Sequence, residues 1–266
     1  MTETESVSNE GLIYGAAVWD IDKTLVRGHK RRFPLAQTFS KIGGLWNRAV
    51  EELNAKPSDV SDKRALLELR KKFKAVSLVL ADAGTLRAIR PEAVSAMRKL
   101  KELVPLCVVN TARPERQSAI TVDQLKEEGL LGVGDQPPVI DGFFFRQSDL
   151  SEDEAKLSVV LRGLQQLKEL GKPGSKVVVI DNDYHKCLIQ AGWDSKREQY
   201  RLGAEFIGLK DQVLVYHVPT EKEKRILQLQ QLAGKALFYP PNVVRVNNIE
   251  DVFTDFQTRI QQVSPK

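Results

Sequence analysis

The stretch Ala16-Ala17-Val18-Trp19-Asp20-Ile21-Asp22-Lys23-Thr24-Leu25 sets two carboxylates and a hydroxyl at the end of an apolar run. Upstream, Leu12 to Trp19 is nearly all apolar and is bounded by polar residues. A short run of this kind reads as a strand buried on both faces of a parallel sheet. Solvated acids at a strand-end turn would explain Asp20 and Asp22 without any function. The rest of the chain argues for more.

Similar apolar runs recur at Leu106 to Val109, Phe143 to Phe145, Lys176 to Ile180 and Val213 to Tyr216, with a further one at Val243 to Val246. Helical patterns lie between them. Pro91 opens one at a favoured first-turn position, with Val94, Met97, Leu100 and Leu103 along one stripe. Another carries Leu157, Val160, Leu161, Leu164, Leu167 and Leu170 before Gly171-Lys172-Pro173-Gly174 ends it. A last helix is expected from Ile249. Strands alternating with helices imply βαβ crossovers, hence an α/β fold with a doubly wound, mostly parallel, Rossmann-like sheet. Ligands of such sheets sit beyond the carboxyl ends of the strands, so the polar residues after each run are the candidates for function.

One region breaks the rhythm. Residues 26–89 carry helical patterns and turn residues such as Gly43-Gly44 and Pro57-Ser58-Asp59, with a weak strand candidate at Val76 to Leu80. That is too long for an ordinary loop, and an inserted helical subdomain is expected there. The α/β core then comprises residues 11–25 and 90–266, and residues 1–10 are expected to be disordered.

At 266 residues, 42% hydrophobic and 28% charged, the chain can bury the core of one large domain carrying an insertion. No apolar run approaches the roughly 20 residues that cross a bilayer, and Met1 to Glu10 is acidic and polar. A soluble, cytoplasmic protein without signal peptide or transmembrane segment is the expectation. Cys107 and Cys187 are the only cysteines, which excludes a disulfide framework. His29, His185 and His217 are scattered and lend no support to a zinc site or a Ser/His/Asp hydrolase. A net charge of +5 suits an anionic substrate; it admits nucleic acid without favouring it.

The strand ends supply the chemistry. Asp20, Asp22 and Thr24 come after the first run; Asn110, Thr111 and Arg113 after the second; Asp181 and Asp183 after the Lys176 to Ile180 run. Four carboxylates on one sheet edge repel unless a cation sits among them, and hard oxygen ligands suit Mg²⁺. A metal so held usually binds a phosphate as well, which the Thr111 hydroxyl and neighbouring backbone N–H groups would grip. Local alternatives stand beside these readings. Thr111 and Asp183 could each cap a helix, Asp181 could serve an Asx turn, and Arg113 could pair a carboxylate instead of a phosphate. The basic run Arg27 to Arg32 reads first as a solvated face.

These pieces resemble the motifs of the haloacid dehalogenase (HAD) superfamily of hydrolases. Asp-Ile-Asp-Lys-Thr-Leu looks like its first motif, Asp-x-Asp-x-Thr after an apolar strand, and Leu106 to Thr111 resembles the second, with Thr111-Ala112-Arg113 a common continuation. Lys156 matches the third-motif lysine, with Lys172 and Lys176 as alternatives, and Val177 to Asp183 resembles the fourth motif. The order and spacing cover roughly Leu12 to Gly208. The resemblance implies an aspartate-nucleophile phosphatase in which Asp20 forms an aspartyl-phosphate and Asp22 is general acid and base. It also implies that Thr111, with Asn110 and Arg113, binds the phosphoryl group and that Lys156 offsets charge. Mg²⁺ would be held by Asp20, the Asp22 carbonyl and Asp181, with Asp183 as a further candidate. The insertion falls where the family places its C1-type cap. The implied substrate is a phosphorylated metabolite or a phosphoprotein side chain. A HAD-like interaction module and a phosphotransferase or mutase are the other expectations. Two departures stand out: Asn182 separates Asp181 from Asp183, and Lys23 occupies a position where the family often has glycine.

A rival nucleophile is Cys107, since Cys107 and Arg113 have the Cys-x₅-Arg spacing of cysteine-dependent phosphatases. That loop needs glycine-like freedom and an exposed thiol. Cys107 instead sits inside an apolar strand with no glycine before Arg113, which reads as a buried thiol.

Overall fold

The computed structural model describes residues 14–27, 88–132, 137–147, 149–172, 175–206, 208–234 and 237–263. The expected disorder of residues 1–10, the interior of the 26–89 insertion with its Val76 to Leu80 strand candidate, and the basic residues beyond Arg27 lie outside them.

The apolar runs form the strands. They are β1 (Tyr14–Trp19), β2 (Leu106–Pro114), β3 (Gly142–Arg146), β4 (Lys176–Asp181), β5 (Val213–His217) and β6 (Val243–Arg245). The connecting helices are α1 (Pro91–Lys101), α2 (Ser118–Glu127), α3 (Glu152–Glu169), α4 (Tyr184–Gln190), α5 (Leu209–Gln212), α6 (Glu221–Leu232) and α7 (Ile249–Val263). The strands make one six-stranded sheet in the order β6-β5-β4-β1-β2-β3, and every neighbouring pair is parallel.

Alternation along each strand feeds two apolar layers. Ala17 and Trp19 of β1, with Val178 and Ile180 of β4, face a core shared with Met97 and Leu100 of α1, Leu125 of α2 and Phe256 of α7. Ala16 and Val18, with Val177 and Val179, face Leu157, Val160, Leu164 and Leu167 of α3 and Cys187 of α4. A strand buried on both faces has no polar positions in its interior, which is why these runs show no apolar/polar alternation in the sequence.

The strand order fixes where a site can lie. The chain winds outward from β1 through β2 to β3, then crosses back by α3 to β4 on the other side of β1. The reversal opens a crevice between the carboxyl ends of β1 and β4, the topological switch point. Trp19 pairs with Ile180 and with Val109, so Asp20, Asn110 and Asp181 emerge side by side.

Beyond β1 the chain turns tightly. Leu25 and Val26 donate backbone N–H groups to the Ile21 carbonyl at 2.9 and 3.0 Å, and Lys23 donates to the Val26 carbonyl at 3.0 Å. Lys23 has φ +70°, the left-handed conformation that favours glycine. Val26–Arg27 then pairs antiparallel with Ala88–Ile89. The chain therefore departs at Arg27 and returns at Ala88 at one point beyond the end of β1. Among the described residues, no helix is long and apolar enough to cross a membrane.

Candidate active site

Asp20 is the first residue past β1, anchored by its N–H to the Ile180 carbonyl at 2.9 Å. Its carboxylate is buried and doubly held: Oδ1 accepts from Lys156 Nζ at 2.5 Å, and Oδ2 accepts from the Thr24 hydroxyl at 3.1 Å. Thr24 reaches back because the turn after β1 folds over four residues; its oxygen also lies 3.3 Å from Asn182 Oδ1.

Lys156 arrives on α3. Ser151 and Glu154 form a reciprocal capping box that fixes the start of this helix. Placing Lys156 in the first turns brings its ammonium to the carboxyl edge of the sheet. There Nζ lies 2.5 Å from Asp20, 3.1 Å from Asp181 Oδ2 and 3.0 Å from the Asn110 carbonyl. Asn110 completes the clamp by donating from Nδ2 to the Lys156 carbonyl at 3.2 Å. Burial works against the ammonium charge, but Asp181 and Asp20 outweigh it and raise the Lys156 pKa. Burial raises that of Asp20, an effect that Lys156 opposes and Asp181 and Asp22 reinforce. Lys176, one of the alternative lysines, begins β4 at the opposite end of the strand.

Asp181 ends β4. Its Oδ1 accepts from the Asp183 N–H at 3.0 Å, and Oδ2 accepts from Gln190 Nε2 at 3.0 Å as well as from Lys156. Asp183 caps α4, its Oδ1 accepting from the Lys186 N–H at 3.1 Å. Behind this loop, His217 at the end of β5 donates from Nε2 to the Asn182 carbonyl at 3.0 Å and accepts at Nδ1 from the Tyr239 hydroxyl at 2.9 Å. Burial lowers the His217 pKa, consistent with a neutral ring in this role.

Asp22 takes a different direction. Arg113 Nε and Nη2 donate to its two carboxylate oxygens, both at 2.9 Å, and Nη1 donates to the Thr121 hydroxyl at 2.9 Å. Thr111 is buried in β2, where its hydroxyl accepts from the Arg113 N–H at 3.2 Å; β2 continues past it to Pro114, so it caps no helix.

Of the four carboxylates, then, Asp20 and Asp181 converge on Lys156, Asp22 pairs with Arg113, and Asp183 caps a helix. Asn110 holds Lys156, whereas the sequence pointed it to a phosphate. Thr24, named with the first motif, joins the site, and Thr121, Gln190, Asn182 and His217 complete it without having been singled out as site residues. Their signal was faint: Gln190 interrupts the apolar sequence Cys187-Leu188-Ile189. Cys107 is buried in β2 and burial pushes its thiol up to about 12, which removes it as a nucleophile.

The donor set bears on a metal. Two buried carboxyl groups share one ammonium, and burial with Asp181 nearby raises the Asp20 pKa, so a further cation beside them would favour its ionised form. Among the described residues, Asp20 accepts one hydrogen bond on each oxygen and Asp181 one on Oδ1, so oxygen lone pairs of both remain. Among those residues no group of three or more His, Cys, Asp and Glu side chains gathers to cage a metal. One or two carboxylates supplemented by waters and a substrate phosphate is the usual Mg²⁺ arrangement, and these residues fit it.

No protein-family model matches the chain, and no curated protein does. Solved structures similar in fold include a haloacid dehalogenase-like family hydrolase from Xanthomonas campestris, 11% identical, covering 95% of this chain and 98% of that one at a TM-score of 0.49. The L-2-haloacid dehalogenase from Xanthobacter autotrophicus with chloropropionic acid covalently bound is 11% identical, over 92% of this chain and 98% of that one, with a TM-score of 0.46. A HAD-superfamily hydrolase from Ehrlichia chaffeensis is 13% identical, over 93% and 96%, with a TM-score of 0.41. At these identities the likeness concerns the α/β fold.

Proposed function

We propose that the protein is a Mg²⁺-dependent phosphatase that hydrolyses a phosphate monoester through an aspartyl-phosphate on Asp20. The observation that carries this reading is the buried Lys156 ammonium bridging Asp20 and Asp181 at the switch point of the sheet. A carboxylate fixed in this way by Lys156 and Thr24 is a preorganised nucleophile.

In the first step an Asp20 oxygen bonds to phosphorus, the bond from phosphorus to the leaving oxygen breaks, and that oxygen takes a proton from Asp22. In the second, water attacks phosphorus and gives a proton to Asp22, and the bond between Asp20 and phosphorus breaks to release inorganic phosphate. Asp22 thus acts as acid and then as base. Lys156 offsets the charge of nucleophile and phosphate throughout, and the Thr111 hydroxyl holds the phosphoryl oxygens. Mg²⁺ held by Asp20, Asp181 and the Asp22 carbonyl would neutralise repulsion between the nucleophile and the incoming phosphate. The second Asp of the first motif, Asp22, supports phosphate chemistry over dehalogenation. Residues 26–89 are read as a C1-type cap, and the substrate as a phosphorylated metabolite or protein side chain.

The test is hydrolysis of p-nitrophenyl phosphate. Wild type is expected to turn over only with Mg²⁺, and Asp20→Asn to abolish turnover while melting as a folded protein. Turnover that survives Asp20→Asn would refute the nucleophile.

A further inference from the structure

Arg113 stands where a phosphate-binding arginine would be expected, yet its geometry serves another group. Its side chain is 3% exposed, while that of Asp22 in front of it is 36% exposed. A substrate entering the site therefore meets the carboxylate before the guanidinium. Three of the guanidinium N–H groups are already committed, two to Asp22 and one to Thr121. The strand itself is shaped for this: the pairing of β2 with β3 shifts register between Thr111 and Pro114, the kind of irregularity that re-aims a side chain at a strand end.

We propose that Arg113 is a positioning residue, which fixes the Asp22 carboxylate at the rim of the site through its guanidinium fork, with buried Thr121 as the anchor. It does not take the phosphate itself. Both Asp22 oxygens are held at 2.9 Å in the side-on geometry that sets the plane and direction of a carboxylate. Lysine's compact ammonium lacks the planar fork that meets both carboxylate oxygens side-on while a separate N–H reaches the Thr121 hydroxyl. Backbone support is local, because the Arg113 N–H is fixed to the Thr111 hydroxyl. The proposal rests on the phosphatase reading and deepens it: orientation of Asp22 matters in the step that protonates the leaving oxygen.

Two esters separate the roles. The leaving group of p-nitrophenyl phosphate needs little protonation, whereas that of phenyl phosphate needs much more. Arg113→Met is expected to lower kcat on phenyl phosphate at least about tenfold more than on p-nitrophenyl phosphate, within the range of general-acid contributions. KM and competitive inhibition by inorganic phosphate should change little. Arg113→Lys should fail to restore kcat although it keeps the charge, and Arg113→Met in an Asp22→Asn background should cost nothing further. If Arg113→Met does not fold, Thr121→Val, which frees the fork but keeps the ion pair, should give a smaller loss with the same preference for phenyl phosphate. Equal losses on both esters with weakened phosphate inhibition would overturn the proposal and make Arg113 a phosphate ligand. Turnover independent of Asp20, or none in folded wild type, would instead remove the phosphatase reading, and the proposal with it. Asp20-dependent turnover that ignores Arg113 would sink this inference alone.

Discussion

Asp20 and Asp22 are two residues apart, yet the structure treats them in opposite ways. Asp20 is buried and held by a lysine that it shares with Asp181. Asp22 stands at the rim, gripped by an arginine that, among the site carboxylates described, serves it alone. A lysine is a point charge that can bridge two carboxylates, and it leaves each of them with lone pairs for a metal or phosphorus. An arginine fork instead locks one carboxylate in plane. On the phosphatase function proposed above, the pair of choices suits a nucleophile that shares its site with cations and a proton carrier that keeps its direction.

Removing Lys156 should break the buried half of this comparison outright. Lys156→Met leaves two buried carboxylates without their counter-ion and is expected to cost about 3–5 kcal/mol in urea unfolding. A loss near zero would mean that Asp20 and Asp181 are protonated or solvated in the native protein.

The loop that carries Asp181 can be probed by pH. His217 is buried and neutral, with its pKa below the usual 6.5. As pH falls through 6.5 the unfolded chain takes up its proton first, so stability contributed by His217 is complete above that pH and is lost below it. The loss levels off once the folded-state ring is protonated as well. Urea unfolding at pH 7.5 and 5.5 should show this fall in wild type and a shallower one in His217→Gln. Equal slopes would relieve His217 of the role.

At the rim, the stakes for stability are smaller. A double-mutant cycle of Asp22→Asn and Arg113→Met should give a coupling of about 1–3 kcal/mol, above that of a surface pair because Arg113 is buried and its fork is bidentate, and below that of the Lys156 cluster because the Asp22 carboxylate is partly open to water. A coupling as large as that of a buried pair would erase the contrast between the two acids. The smallest effect concerns the turn that separates them. Lys23→Gly relieves the left-handed backbone at φ +70° but adds chain entropy to the unfolded state, so it should stabilise by no more than about 1 kcal/mol. Destabilisation beyond the roughly 1 kcal/mol that glycine entropy can account for would show that the Lys23 side chain has a partner in the site.

Much of this molecule was legible in the chain. The run before Asp20 became β1, the Val177 to Ile180 run became β4, and Pro91 opened α1 where the sequence placed it. Strand ends are where the reading fell short: β2 continues past the expected Val109 as far as Pro114, and β4 includes Asp181, because strand pairing continues into the polar residues at the site. Buried strands are readable because both faces demand apolar side chains, whereas the return of polarity marks their ends only coarsely.

Partnership between side chains was not legible. That Asn110 clamps Lys156, that Arg113 turns to Asp22, and that Gln190 supports Asp181 depend on distances that the linear order of residues does not encode. The sequence by itself determined which strands exist, which residues stand at their carboxyl ends, and that acids would gather there. Only the tertiary structure decided which acid is buried with the lysine and which is held at the rim. Local chemistry sets what a residue can do, whereas the order of strands and the entry angle of α3 and β2 set which partner comes within reach.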